Sequence, residues 1–128
     1  MTDTDGCARR ARGRVAGSAG RLGEESVARE YRARGFRLIA SRWRGRAGEI
    51  DLILEAGGEF VFVEVKKSAD HARAAARILP RQIRRIRAAA LEFCAAQAQG
   101  MATPMRFDAA LVDGVGRVQI LENALQPL

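Results

Sequence analysis

The sequence predicts a single α/β domain: a mixed central sheet flanked by helices, in the order α-β-β-β-α-β-β. Three observations carry this. Two short runs with a two-residue alternation, 49–54 (EIDLIL) and 60–66 (FVFVEVK), stand on either side of Gly57 and Gly58, the mark of a β-hairpin. Apolar residues at helical spacing precede this hairpin and recur after it. The chain has 128 residues, 48% hydrophobic and 29% charged, which suits one globular core and is too short for two full-sized domains.

The elements follow in order. Residues 1–19 hold Arg9, Arg10, Arg12 and Arg14 among small residues, with Val15 the only large aliphatic after Met1, so a disordered basic arm is expected there and the folded domain over 20–128. Leu22, Val27, Ala28 and Tyr31 lie at helical spacing across 21–34, and Gly35 supplies a stop. Residues 36–44 (FRLIASRWR) mix aromatic and branched side chains with arginines, as in a partly exposed strand, and Trp43 there is either a half-buried anchor or a stacking platform for a base. The hairpin strands come next. Residues 68–79 admit either a loop or a short helix. Pro80 opens an amphipathic helix through Ile83, Ile86, Ala90 and Phe93 that is expected to end near Gly100. Strands over 106–112 and 116–121 close the domain around a turn at Asp113 and Gly114.

Composition narrows the function. Twenty-two basic against fifteen acidic residues give a net charge of +7, which favours a polyanionic partner, nucleic acid before an anionic membrane surface. Twenty of the 22 are arginine in a chain rich in Ala and Gly, so compositional bias alone also accounts for many of them. No run approaches the roughly 18 apolar residues of a membrane span, and no secretory signal is apparent; a soluble, cytoplasmic protein without membrane attachment is expected. Cys7 and Cys94 with the single His71 are too few for a thiolate zinc site, and Cys94 reads as a buried small hydrophobe.

The chemistry concentrates on the hairpin. Alternation puts Glu49, Asp51 and Ile53 on one face of their strand and Ile50, Leu52 and Leu54 on the other. On the partner strand Val61, Val63 and Val65 form an aliphatic face, while Glu64 and Lys66 share the opposite one with Phe60 and Phe62. Charges on a face covered by protein require a partner, either each other or a bound metal. An acid on one strand and an acid-x-Lys on its neighbour can bring two carboxylates onto a hard dication, with the ammonium beside an attacking water or a phosphoryl oxygen. An ordinary ion pair at the end of a hairpin explains the same spacing.

The blocks Gly48-Glu49-Ile50-Asp51-Leu52-Ile53 and Val61-Phe62-Val63-Glu64-Val65-Lys66, in this order and at this distance, resemble the YraN-like family of predicted bacterial endonucleases. The resemblance runs from Gly20 to Asp108. It implies the PD-(D/E)xK, restriction-endonuclease-like core that is compared with Holliday junction resolvases. It further implies that Asp51 and Glu64 hold Mg²⁺ or Mn²⁺, that Lys66 is the catalytic lysine and that Glu24 is the acid contributed by the first helix. Glu49 becomes a supporting acid; Asp108 matches a family position without an evident role. The chain departs from the pattern at Lys67-Ser68, where an arginine is usual two residues after the lysine, and at Gln82, where a lysine is usual. Arg81, Arg84 and Arg85 are the candidates to restore positive charge along a path for DNA.

The expectation is therefore a metal-dependent endonuclease acting on duplex or branched DNA, with a homodimer suiting symmetric cutting. The alternatives are a non-catalytic nucleic-acid-binding module on the same fold and a protein-interaction or assembly factor with incidental basic charge. Deleting residues 1–19 is expected to leave the melting temperature nearly unchanged and to lower the salt slope of duplex binding by roughly 0.9 for each phosphate that the arm neutralises. An unaltered slope in a salt titration would remove any role for the arm.

Overall fold

The computed structural model describes residues 18–125, with side chains from Arg21 onward; the basic arm expected over 1–19 lies almost wholly outside the described residues. Helix α1 (Ser18–Ala33) leads into strands β1 (Arg37–Arg44), β2 (Glu49–Ala56) and β3 (Glu59–Lys67). Helices α2 (His71–Ala76) and α3 (Pro80–Ala95) follow, then a single 3₁₀ turn (Gly100–Ala102) and strands β4 (Met105–Val112) and β5 (Val118–Leu121). The five strands form one sheet in the order β1-β2-β3-β4-β5. All neighbours are antiparallel except β3 and β4, whose parallel pairing requires the long crossover that α2 and α3 supply. The mixed α/β class and the order of the main elements match the sequence expectation.

Each face of the sheet carries its own core, as a sheet covered on both sides demands. Val27, Ala28 and Tyr31 of α1 pack on Leu52, Leu54, Val61 and Val63. Ile86, Ala90, Phe93 and Cys94 of α3 pack on Ile53, Phe62 and Phe107 of the opposite face. Phe93 is the hub of that side, with the rings of Trp43, Phe60 and Phe62 at 5.6, 5.3 and 5.8 Å in edge-on contacts. Trp43 is thus the half-buried anchor of the two readings.

Several expectations are corrected. Helix α1 begins at Ser18, and Leu22 projects into solvent at 62% exposure instead of joining the core. The ambiguous 68–79 stretch contains a real helix, started by the Asp70 carboxylate, which accepts the Arg73 N–H at 2.8 Å. Helix α3 stops at Ala95, short of Gly100, because residues 95–99 offer no large apolar side chain to the core. Strand β5 begins at Val118, since the Asp113 carboxylate accepts from the backbone N–H of both Val115 and Arg117 and holds a longer turn than Asp113 and Gly114 alone. Ile50 belongs with Ile53 and α3, not with Leu52 and Leu54.

The displacement of Ile50 has a local cause. Ala40 and Trp43 of β1 both pack on the α3 side although three residues apart, as do Ile53 and Ile50 opposite them, and strict alternation forbids this. The break falls at Arg42, whose φ of 53° is uncommon for a residue with a side chain. Register pairs Ser41 with Leu52 and Trp43 with Ile50, so Arg42 stands opposite Asp51.

Asp108, without a role in the sequence, is fully buried and ties three segments together. Its carboxylate accepts from the Tyr31 hydroxyl at 2.6 Å, from Arg106 at 3.0 and 2.9 Å, and from the Asn123 N–H at 2.8 Å. Burial and this carboxylate push the Tyr31 hydroxyl far above its ordinary pKa, so it remains a donor at any working pH. Asp108→Ala, which strands the buried tyrosine hydroxyl and a mostly buried arginine, is expected to cost about 3 kcal/mol in urea unfolding, against about 1 kcal/mol for Tyr31→Phe.

Candidate active site

The hairpin does not stay paired to its end. Strands β2 and β3 match residue for residue from Ala56 and Glu59 to Leu52 and Val63, and there the pairing stops. Strand β3 continues alongside β4 as far as Lys67, so its outer edge from Glu64 onward lacks a neighbouring strand. Asp51 fills the place of the missing backbone acceptor: its Oδ2 takes the N–H of Val65 at 2.8 Å. The divergence opens a notch between the two strands, with carboxylates on both walls.

Two clefts meet there. The first, of about 320 Å³, is lined by Glu24, Asp51, Glu64, Lys66, Lys67 and Arg77. The second, of about 220 Å³ on the α3 side, is lined by Glu49, Asp51, Glu64, Gln82 and Arg85. Asp51 and Glu64 belong to both. Lys66 Nζ stands 3.1 Å from Glu64 Oε2, each side chain largely buried. Glu24 Oε1 accepts from Arg42 Nε at 3.0 Å, again with both side chains mostly covered.

The electrostatics are strained in one direction. Burial raises the Asp51 carboxyl well above the usual carboxylate range, and the neighbouring Glu64 and Glu24 push it further, against the lowering effect of the Val65 N–H. Ionisation of Asp51 is thus opposed by its burial and by the carboxylates beside it, with one backbone amide in its favour. Glu24 is also raised, mainly by burial, with Arg42 pulling it back.

All four acids and bases expected at the site, Glu24, Asp51, Glu64 and Lys66, therefore line one cleft, with Glu49 in the adjoining one. Of the three helix arginines only Arg85 reaches these clefts; Arg81 and Arg84 are exposed on α3 and line neither. Sequence reasoning missed Arg77, whose guanidinium donates to the Lys67 carbonyl at 2.7 Å and brings α2 to the cleft, and Arg42, the partner of Glu24. It also missed Glu92. Its carboxylate accepts the Arg46 and Ala47 N–H groups, both at 3.0 Å, and so pins the loop that leads into β2 onto α3. Only the run Gly45 to Gly48 hinted at such a tight loop: a Cβ on Gly45 would meet Glu92 at 2.6 Å and Trp43 at 2.8 Å.

For a metal the notch offers two carboxylates. Among the described residues no group of three or more His, Cys, Asp or Glu side chains stands together in a metal-holding arrangement. No helix among the described residues is long and apolar enough to cross a membrane.

Comparison with known proteins fixes the family. Residues 23–112, which include every element from most of α1 to the end of β4, match the model of the uncharacterised protein family UPF0102. A UPF0102 protein of Ruegeria pomeroyi is 58% identical over 106 residues, covering 83% of this chain and 86% of that one. One of Roseobacter denitrificans is 58% identical over 113 residues, 88% of each chain, and one of Dinoroseobacter shibae 46% identical over 116 residues, 91% and 87%. The hairpin motifs, the sheet they build and the extent of these matches lead to one conclusion: the chain belongs to UPF0102, the YraN-like family.

Proposed function

We propose that the protein is a metal-dependent endonuclease of the PD-(D/E)xK, restriction-endonuclease-like type, acting on the phosphodiester backbone of DNA. The observation that carries this is the meeting of Asp51, Glu64 and Lys66 in one notch, with Glu24 on the same cleft wall. Two carboxylates that repel each other, at a point where a sheet has been opened, form a costly arrangement for a purely structural pair. The donor set suits Mg²⁺ or Mn²⁺, since a hard dication of this kind takes one or two protein carboxylates and completes its shell with water and substrate phosphate. Asp51 and Glu64 would hold it, and when bound it supplies an acidified water and positive charge against the phosphoryl oxygens.

The chain's own groups do the rest. Lys66, beside Glu64, can donate to the attacking water or steady the charge that develops on a phosphoryl oxygen. Glu24 reaches the cleft from α1 and can orient that water, with Arg42 fixing its rotamer. Lys67 and Arg77 on one side and Arg85 on the other give a phosphate track that flanks the acids. The net charge of +7 favours polynucleotide association in general. Cytoplasmic location and a homodimer able to cut both strands belong to this proposal as well.

A non-catalytic DNA-binding module is the second reading. It draws support from the internal pairing of Lys66 with Glu64 and of Glu24 with Arg42, which balances two of the three acids by ordinary ion pairs. An assembly factor with incidental basic charge would show no salt-dependent affinity for any polynucleotide.

Two measurements separate these readings. In a cleavage assay over single-stranded, duplex, flap and four-way DNA with Mg²⁺ or Mn²⁺, Asp51→Asn, Glu64→Gln and Lys66→Ala should each remove most cleavage while binding persists. The double Asp51→Asn/Lys66→Ala should be little worse than either single change, because groups acting as a unit are not additive. A Lys66→Ala protein that cuts at the wild-type rate would reject the mechanism.

The second is a set of thermal melts at neutral pH in EDTA and in excess metal. A carboxyl raised in the folded state stabilises fully below its unfolded pKa, and that contribution is lost as pH rises through the folded value, so ionised Asp51 strains the metal-free protein. Asp51→Asn removes the charge and keeps an oxygen for the Val65 N–H, and is expected to stabilise by about 1 kcal/mol and to cancel stabilisation by metal. Asp51→Ala loses that oxygen as well, and should be less stable than Asp51→Asn by about 1 to 3 kcal/mol. A destabilised Asp51→Asn, with a wild type indifferent to metal, would mean a structural acid.

A further inference from the structure

A third cleft lies between α1 and β1 and, at about 490 Å³, is more spacious than either of the two that meet at the notch. Its interior is apolar, formed by Ala28, Leu38 and Leu52. Arg21, Glu25, Arg29 and Arg32 line it from one face of α1, and Ser41 and Arg42 from β1, so cations outnumber acids on its walls. Glu24 is common to this cleft and to the one holding Asp51, Glu64 and Lys66, so the two lie on either side of one residue. We propose that this cleft is a binding site for one unpaired nucleotide of a DNA strand whose adjoining phosphodiester lies at the carboxylates.

The chemistry of the walls selects that ligand. A phosphate alone calls for cations and gains nothing from an apolar floor, whereas a nucleobase presents two flat apolar faces and a polar edge. Guanidinium groups serve both parts of a nucleotide, since they stack on the base and take the phosphate bidentately. The volume falls within the range of small-ligand pockets, roughly 300–1,000 Å³, and is ample for one base with its sugar. A base still paired in a duplex is stacked above and below and cannot enter a recess, so only an unpaired one can fill it.

Arg42 joins this cleft to the notch. Its left-handed backbone, costly for arginine, coincides with a side chain that lines this cleft and bonds Glu24 on the shared wall. A base seated over Leu38 and Leu52 would sit against the guanidinium that holds Glu24. Strand occupancy would thereby fix an acid of the neighbouring cleft. Arg42 is a positioning residue in this scheme, acting through Glu24.

The proposal rests on the DNA-binding part of the function above but not on cleavage, and its test needs no turnover. Fluorescence anisotropy in EDTA at fixed salt would compare a short thymidylate strand of about eight nucleotides, its fully abasic counterpart and a duplex of equal phosphate number. The thymidylate strand is expected to bind on the order of tenfold or more tightly than the abasic one, the size of effect that stacking of a base gives. Arg29→Ala/Arg32→Ala, both at exposed positions, should weaken the thymidylate strand more than the abasic one. A photoreactive strand carrying 5-iododeoxyuridine should cross-link within residues 38–42 or to the facing side of α1. Equal affinity for intact and abasic strands, equal weakening of both by the double variant, or adducts confined to other segments would overturn the assignment. Absence of binding to any strand would overturn it together with the DNA reading. A preference for the intact strand in a protein that never cleaves would uphold this cleft and reject the nuclease, and cleavage without such a preference would do the reverse.

Discussion

The separation of β2 from β3 beyond Leu52 and Val63 is the constraint on which the site depends. A β-strand edge cannot be left without acceptors for its N–H groups inside a protein, and here a side chain takes that duty. Asp51 Oδ2 satisfies the Val65 N–H and in doing so places its carboxylate at the fork, facing Glu64 across the gap. Had the ladder continued, Asp51 and Glu64 would stand as neighbours on a closed sheet face, with little room for a third body between them.

The fork is held open from both sides. On the α3 side Glu92 pins the Arg46 and Ala47 amides, and Trp43 and Ile50 bury themselves with Phe93. On the α1 side Arg42 leaves its strand geometry and pairs with Glu24. Arg42 and Asp51 are opposite each other in register, so the irregular point of β1 lies beside the residue that caps Val65. Helix α2 adds the third support, with Arg77 bonding the carbonyl of Lys67 at the end of β3.

Two buried aspartates show what distinguishes a structural acid from a candidate functional one. Asp108 is enclosed by donors: a hydroxyl, a guanidinium and a backbone amide leave it compensated. Asp51 has one amide donor and two carboxylate neighbours, Glu64 and Glu24, so its ionisation is opposed. Environment, not residue type, separates them. Asp108 matched a family position as well as Asp51 did, yet its surroundings make it the fastening of α1, β4 and the chain after β5.

The hairpin, the two amphipathic helices and the mixed sheet were legible in the chain itself, because periodicity of apolar residues and a Gly-Gly turn are local properties. So was the short set of chemistry-bearing residues, since charges in strands otherwise built from Val, Ile and Phe stand out against their pattern. The arginines of α3 were legible as a charged face, but that only Arg85 reaches the acids depends on how α3 lies on the sheet. The turn of Ile50 to the α3 side, the pairing of Arg42 with Glu24 and the anchoring by Glu92 were not legible. Each joins segments 18 to 46 residues apart or follows from one backbone angle that no sequence period encodes. The sequence determined which elements form and which residues carry the chemistry. Tertiary structure alone decided where the ladder breaks and what faces the gap, because that outcome balances unpaired backbone groups and buried charges contributed by distant elements.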